Sequence, residues 1–314
     1  MSISSFLKLV EIQTKVASMI PFTLGSLYAL HRFNRFNIKN FIFMLISLLC
    51  FDMATTAINN YFDFKKAQNT KGYNYEVHNA IVKDGLSENT VVAIIVTLVI
   101  IAITFGFLLF LNTNYVVLFI GIASFFTGVI YSFGPIPISR MPLGEIFSGF
   151  FMGVIIPFLA MYIHAWDLDL FSFVYSNNIL SLTMNLKELI FIFIFSIPTM
   201  NGIANIMLAN NTCDMEDDIG NRRYTLPIYI GKKNALKLFK MLYYIAYLGI
   251  IIAIILGILP ITSLITLLTI IPVNKNLKIF FKKQTKKDTF IVAVKNFVII
   301  NVVQILSLIV ALMV

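Results

Sequence analysis

Of 314 residues, 59% are hydrophobic and 12% charged, and the mean hydropathy is +0.87. That balance excludes a soluble globular domain, and apolar runs long enough to cross a bilayer recur along the whole length. The net charge of +9 goes with membrane topology and not with nucleic acid, because the cations sit between the apolar runs. The two cysteines, Cys50 and Cys213, are too far apart in sequence to form a disulfide framework or a CxxC metal pair.

In chain order, the pattern predicts an all-α membrane protein of nine transmembrane helices around a central cavity. The spans fall at 8–30, 38–63, 90–111, 115–133, 143–164, 187–211, 235–257, 260–280 and 290–313. The start of the chain, with Glu11, Gln13 and Lys15 ahead of its apolar run, makes a poor signal peptide. With the N-terminus cytoplasmic, 18 of the 24 Lys and Arg residues fall on the inner side and four (Arg32, Arg35, Lys39, Lys187) on the outer. An excess of that size fixes orientation. It places loops 64–89 and 212–234 together on the cytoplasmic face of one polytopic domain, residues 1–314.

Span two ends in a polar cluster, AINNYFDFKK, in which Asn59 and Asp63 are one helical turn apart. Asp52 lies about two turns deeper, where an acid needs a partner, and Lys15 on span one is the candidate for an ion pair. Glu145 opens span five after GPIPISRMP. There it is placed either to meet a substrate hydroxyl or simply to complement a helix N-terminus. Asn201 and Asn205 share a face of span six, lining a cavity or bonding a neighbouring helix. The three histidines (His31, His78, His164) show no metal spacing.

The densest polar stretch follows span six: NNTCDMEDDIGNRRYTLPIYIG. If the helix runs on to Asp218, then Asn210, Asp214 and Asp218 stand on one face at successive turns. A solvated acidic loop would look similar. Oxygen side chains in this arrangement also suit Mg²⁺, which takes one or two carboxylates and completes its shell with water and substrate phosphate. Two such helix tips, with Lys66, Lys83, Arg222 and Arg223 just beyond them, describe a bilayer-embedded site for a lipid diphosphate.

These two clusters, about 150 residues apart, resemble the paired aspartate motifs of the UbiA-type intramembrane prenyltransferase superfamily. Three stretches, NNYFDFKK, YSFGPIPISRMPLGEIFSGFFMG and NNTCDMEDDIGNRRYTLPIYIG, are most similar to its 1,4-dihydroxy-2-naphthoate polyprenyltransferases of menaquinone synthesis. The resemblance covers about residues 8–235; the last spans match in hydropathy only. It implies that an aromatic acid displaces diphosphate from a polyprenyl diphosphate and loses its carboxylate, giving demethylmenaquinone at the bacterial cytoplasmic membrane. It implies Mg²⁺ on Asp63, Asp214 and Asp218 with Asn59, and Glu145 beside the aromatic substrate. Asn59, Tyr61, Lys66, Lys83, Tyr131, Asn205, Asn210, Arg222 and Arg223 are then substrate-binding. The first motif departs from the family: Asn60 stands where an Asp is usual, Ala67-Gln68-Asn69 where Gly and Asp are expected, and Glu11 near a usual basic position. The alternative readings are other acceptors (4-hydroxybenzoate or heme), a CDP-alcohol-type transferase, a cation transporter and a non-catalytic prenyl or quinone binder. The Asp-Gly…Ala-Arg run of the CDP-alcohol type is absent from this sequence.

Overall fold

The computed structural model describes residues 1–66, 80–132, 134, 137–168, 170–221 and 223–314. A short helix α1 (Ile3–Leu9) and a tight turn (Ile12–Lys15) lead into α2 (Val16–Phe33). Then come α3 (Ile38–Lys66), α4 (Ala80–Lys83), α5 (Glu88–Leu111), α6 (Tyr115–Ser132) and α7 (Gly144–Tyr162). The second half holds α8 (Leu186–Cys213), α9 (Met215–Gly220), α10 (Leu226–Ile230), α11 (Lys232–Ile255), α12 (Ile270–Lys282, preceded by a 3₁₀ stretch, Ile261–Thr269) and α13 (Ile291–Met313).

Among the described residues, seven helices are long and apolar enough to cross a membrane: α3, α5, α7, α8, α11, Ile261–Lys282 and α13. Helices α2 and α6 stand where two further spans are expected from sequence, each only 18 residues long. The chain is thus a multi-pass helical membrane protein with α7 and α8 at its centre, 61% and 56% of whose apolar windows are buried, against 17% for α5.

The expectation of an all-α chain misses one element. Strands β1 (Phe171–Ser176) and β2 (Ile179–Met184) pair antiparallel, Phe171 opposite Met184 and Ser176 opposite Ile179. Their two-residue turn, Asn177-Asn178, has φ of 49° and 60°. Both central residues of a type I′ turn need positive φ, which asparagine tolerates better than most residues.

Close helix approach is bought with glycine at two places. A Cβ on Gly25 of α2 would lie 2.3 Å from the Pro157 carbonyl oxygen, and one on Gly153 of α7 2.3 Å from Met200 Cα. At Gly153 the helix loosens into a π turn (Phe151–Ile155), and Thr199 Oγ1 donates to the Gly153 carbonyl at 2.7 Å. Backbone cannot yield as a side-chain tip does, so Gly25→Ala is expected to cost about 3 kcal/mol, the upper end for overpacking. Gly121→Ala, where nothing lies within 4 Å, is the neutral control. Thermal midpoints of the purified variants in detergent check the pair, and equal midpoints would contradict the close packing.

Hydrogen bonds set the relative directions of the helices. Helices α3 and α5 are antiparallel, with Lys39 Nζ donating to Asn112 Oδ1 at 2.6 Å at one end and Tyr61 Oη to Glu88 Oε1 at 2.6 Å at the other. At the Asn112 end, Asn114 Nδ2 donates to Tyr162 Oη at 2.7 Å. At the opposite end, Ser148 of α7 donates to Tyr131 Oη of α6 at 3.0 Å, and Asn211 of α8 to Glu145 of α7 at 2.8 Å. The C-terminal ends of α3, α6 and α8 therefore share one end of the bundle, and both polar clusters with them.

Candidate active site

Helix α8 ends at Cys213, two residues past the span read from sequence, and does not run on unbroken to Asp218 because Asp214 leaves helical geometry (φ −98°, ψ 8°). The one-turn spacing survives the break: Asp214 N–H donates to the Asn210 carbonyl at 3.2 Å, and Asp218 N–H to the Asp214 carbonyl at 2.7 Å. The second motif is then pinned from two directions. Arg223 N–H donates to the Asp218 carbonyl at 2.8 Å, and Tyr224 N–H to the Arg140 carbonyl at 3.1 Å.

Asp218 is 3% exposed. Its Oδ1 lies 3.3 Å from Arg223 Nε, aligned as an ion pair but not as a hydrogen bond, and Thr225 Oγ1 donates to its Oδ2 at 3.3 Å. Burial pushes its carboxyl above the usual aspartate range; the nearby Asp214 adds to that, while Arg223 opposes it. Desolvation wins because the arginine is itself a third exposed and imperfectly aligned. A raised folded pKa means that the protonated acid favours the fold. That contribution is present below the unfolded pKa and is lost as pH rises through the folded value. A pH–rate profile that depends on an ionised Asp218 is expected to have its acid limb above the ordinary aspartate range. Removing a hydrogen bond from the carboxylate with Thr225→Val should move that limb further up. A limb at the ordinary value in both proteins would contradict the burial account.

Asp214 is more open, its side chain 21% exposed, with Oδ2 2.5 Å from Lys286 Nζ. Among the described residues no three His, Cys, Asp or Glu groups converge on a metal position. What the second motif offers is two carboxylates one turn apart and oxygen donors only, which fits a hard cation that shares its shell with water and phosphate oxygens.

A cavity of about 780 Å³ opens between α3, α5, α6 and α7 and reaches Met207 on α8. Its walls carry two aromatic pairs, Phe51 with Phe125 (centroids 4.0 Å apart) and Phe147 with Phe151 (6.1 Å, nearly parallel). Its polar margin holds Asp52, Thr56, Asn59, Tyr131 and Ser148. Tyr131 joins cavity to motif: its hydroxyl accepts from Ser148 and donates to Met207 Sδ at 3.6 Å, and it lies within electrostatic reach of Glu145 and Arg223. Glu145 is 3% exposed; Oε1 accepts from Asn211, and Oε2 is buried without a hydrogen-bond partner among the described residues.

The sequence candidates divide accordingly. Asn59, Tyr131, Glu145, Asp214, Asp218 and Arg223 gather around the cavity mouth and the second motif, and half-buried Asn210 leads into the motif through its carbonyl. Asp63 is exposed on the last turn of α3, at the same end of the bundle. Tyr61 is turned elsewhere: its hydroxyl holds Glu88, and its ring packs against Leu9, Ala57, Ile81 and Val91. Asn205 also faces away, donating to the Phe239 carbonyl at 3.0 Å, so interhelical bonding is its role. Lys83 is exposed on α4, beside the Lys8–Asp84 ion pair. The Lys66 side chain, Arg222 and Asn69 lie outside the described residues.

Three participants escaped sequence analysis. Asn211 and not Asn210 meets Glu145, because one residue turns a helical side chain by about 100° and the pattern does not set the phase. Thr225 is announced only as the N-cap before Leu226-Pro227. Lys286 comes from the far end of the chain, with no local signal. The expected Lys15–Asp52 pair is present, Nζ to Oδ1 at 2.7 Å, and Ser18 and Thr56 complete it. Asn60, the departure from the family motif, donates to the Leu9 carbonyl at 2.9 Å and to Glu11 Oε1 at 3.3 Å. A carboxylate at 60 would face Glu11 and could donate to neither, so the two departures compensate each other. His164, placed by sequence at an outer helix end, accepts from Asn37 N–H at 3.0 Å and stacks on Phe36.

The family model for the UbiA prenyltransferase family matches residues 18–298. The 1,4-dihydroxy-2-naphthoate octaprenyltransferase of Bacillus subtilis (strain 168) is 28% identical over 237 residues, 76% of this chain and 69% of that one. Among solved structures, an apo UbiA homologue from Aeropyrum pernix K1 superposes with a TM-score of 0.69 at 18% identity, covering 96% of this chain and 99% of that one. A UbiA homologue from Archaeoglobus fulgidus bound to GPP and Mg²⁺ gives 0.65 at 14%, covering 99% and 100%. With the motif spacing, the shared fold and a family match over most of its length, the chain belongs to the UbiA prenyltransferase family and is a membrane prenyltransferase.

Proposed function

We propose that this protein transfers a polyprenyl group from an allylic polyprenyl diphosphate to 1,4-dihydroxy-2-naphthoate. Nine spans surround the cavity in this reading, with the N-terminus and both motif loops at the cytoplasmic face of the bacterial cell membrane. The observation that carries it is the junction of the Asp214–Asp218 turn with an aromatic-walled cavity through Tyr131, Glu145 and Asn211. The relative from Bacillus subtilis, a 1,4-dihydroxy-2-naphthoate octaprenyltransferase, supports the choice of acceptor.

In the proposed reaction the allylic C–O bond breaks with its electron pair on the diphosphate. A C–C bond then forms at the ring carbon bearing the carboxylate, and CO₂ leaves as the ring regains aromaticity. The product is the quinol form of demethylmenaquinone. Mg²⁺ held by Asp214 and Asp218, with Asp63 and Asn59 from α3, would neutralise charge on the departing diphosphate. Arg223 adds a cation at that end, with Arg222, Lys66 and Lys83 as the family-implied others. Phe51, Phe125, Phe147 and Phe151 exclude water that would quench an allylic cation, and their faces attract it. Glu145 Oε2, buried and without a hydrogen-bond partner among the described residues, is placed to take an acceptor hydroxyl proton as the C–C bond forms and to return it to that oxygen when CO₂ leaves, while Asn211 fixes the other oxygen.

The test is an acceptor panel: purified protein in lipid nanodiscs, Mg²⁺, labelled polyprenyl diphosphate, and dihydroxynaphthoate, 4-hydroxybenzoate or heme. Prenylated product with dihydroxynaphthoate alone, abolished by EDTA, is expected. Product only with another acceptor would replace the substrate assignment.

A further inference from the structure

One contact at the second motif comes from a stretch without any motif. Lys286 lies between α12 and α13, and its Nζ is 2.5 Å from Asp214 Oδ2. Its charge also reaches Asp218 and Cys213. The segment is built to hold it there. Thr285 N–H donates to Thr289 Oγ1 at 2.9 Å, and the Thr285 carbonyl accepts from Thr289 N–H and Phe290 N–H at 3.0 Å each. Asp288 Oδ2 accepts from Thr285 Oγ1 at 3.2 Å and from Lys283 Nζ at 3.0 Å. Thr289 is 5% exposed, so the turn is anchored in the bundle. The Lys286 side chain is half exposed, and its stem leaves the ammonium able to move.

We propose that Lys286 is a diphosphate-binding residue, which rests on Asp214 until a divalent cation takes that carboxylate and then passes to a phosphate oxygen. The proposal rests on the prenyltransferase reading above. An ammonium and a divalent cation repel each other at one carboxylate, and the divalent ion is the stronger ligand-gatherer. The displaced ammonium stays tethered by its turn, and the anion that arrives beside it is the diphosphate. The final pair of helices, which carries no family motif, thereby supplies a side chain to the site.

The test uses the full chain in detergent, with Lys286→Met to remove the charge and Lys286→Arg to restore it. Mn²⁺ is titrated by electron paramagnetic resonance without diphosphate, and inorganic diphosphate by calorimetry with Mg²⁺ present. Without the competing ammonium, Lys286→Met should bind Mn²⁺ about threefold more tightly, the scale of an exposed ion pair. It should bind diphosphate about tenfold more weakly, the scale of one charge-assisted hydrogen bond. Lys286→Arg should recover most of both affinities. Unchanged diphosphate affinity in Lys286→Met overturns the inference, whatever Mn²⁺ does, and leaves the prenyltransferase reading standing. If the wild-type protein binds neither Mn²⁺ nor diphosphate, the reading and the inference fall together.

Discussion

Asp218→Ala is expected to lower prenyl transfer by about a thousandfold or more, because a metal-held leaving group contributes several kcal/mol of transition-state stabilisation. The carboxylate is almost fully buried, and its partners Arg223 and Thr225 come from the same turn. Its removal strips the motif of an anion without opening the helix bundle. Asp218→Asn keeps the volume and the Thr225 hydrogen bond but loses the charge, and should be nearly as inactive. Both variants should elute as monodisperse protein in detergent with an unchanged helical circular dichroism signal. Near-normal turnover in the asparagine variant would remove Asp218 from the metal set.

The second large effect concerns stability. Lys15 and Asp52 form an ion pair whose side chains are 4% and 17% exposed, with Ser18 and Thr56 completing the hydrogen bonds. Lys15→Met leaves a carboxylate in the cavity wall without its cation, and breaking a buried pair in this way costs about 3–5 kcal/mol. A lower thermal midpoint in detergent is expected. Asp52→Asn added to Lys15→Met should restore most of it, because an amide needs no counter-ion. If the double variant melted no higher than Lys15→Met, an unpaired charge could not be the cause.

Much of this was legible in residue order, and what escaped did so for identifiable reasons. Long apolar runs locate the helices because lipid demands that each backbone polar group be satisfied within its own segment. The Asp214–Asp218 spacing survives in the fold because backbone hydrogen bonds bridge the break at Asp214. The Lys15–Asp52 pair could be anticipated because an intramembrane acid needs a partner and Lys15 stands on the preceding span. Of the two tyrosines that the resemblance makes substrate-binding, Tyr131 lines the cavity and Tyr61 does not. Tyr61 and Phe62 sit next to the motif in sequence, yet Tyr61 points toward α5, while Phe51, Phe125, Phe147 and Phe151 line the cavity. Proximity along the chain does not fix which side of a helix faces inward. Of the two roles open to Asn205 from sequence, cavity lining and a bond to a neighbouring helix, the structure shows the second, to α11. The hairpin at 171–184 was hidden because its strands are short and lie in the connection between spans five and six, where only Asn177-Asn178 signals a turn. Lys286 illustrates the limit of local patterns, since nothing within its own stretch points to an acid 72 positions away.

The most direct measurement is the hyperfine coupling between Mn²⁺, standing in for Mg²⁺, and the phosphorus nuclei of a prenyl diphosphate bound to the intact protein. A metal shared between the two helix tips predicts strong phosphorus coupling in the wild-type protein, lost on replacing Asp218 by alanine and weakened on replacing Asp63. Phosphorus coupling that persists undiminished in both variants would place the metal and its diphosphate elsewhere.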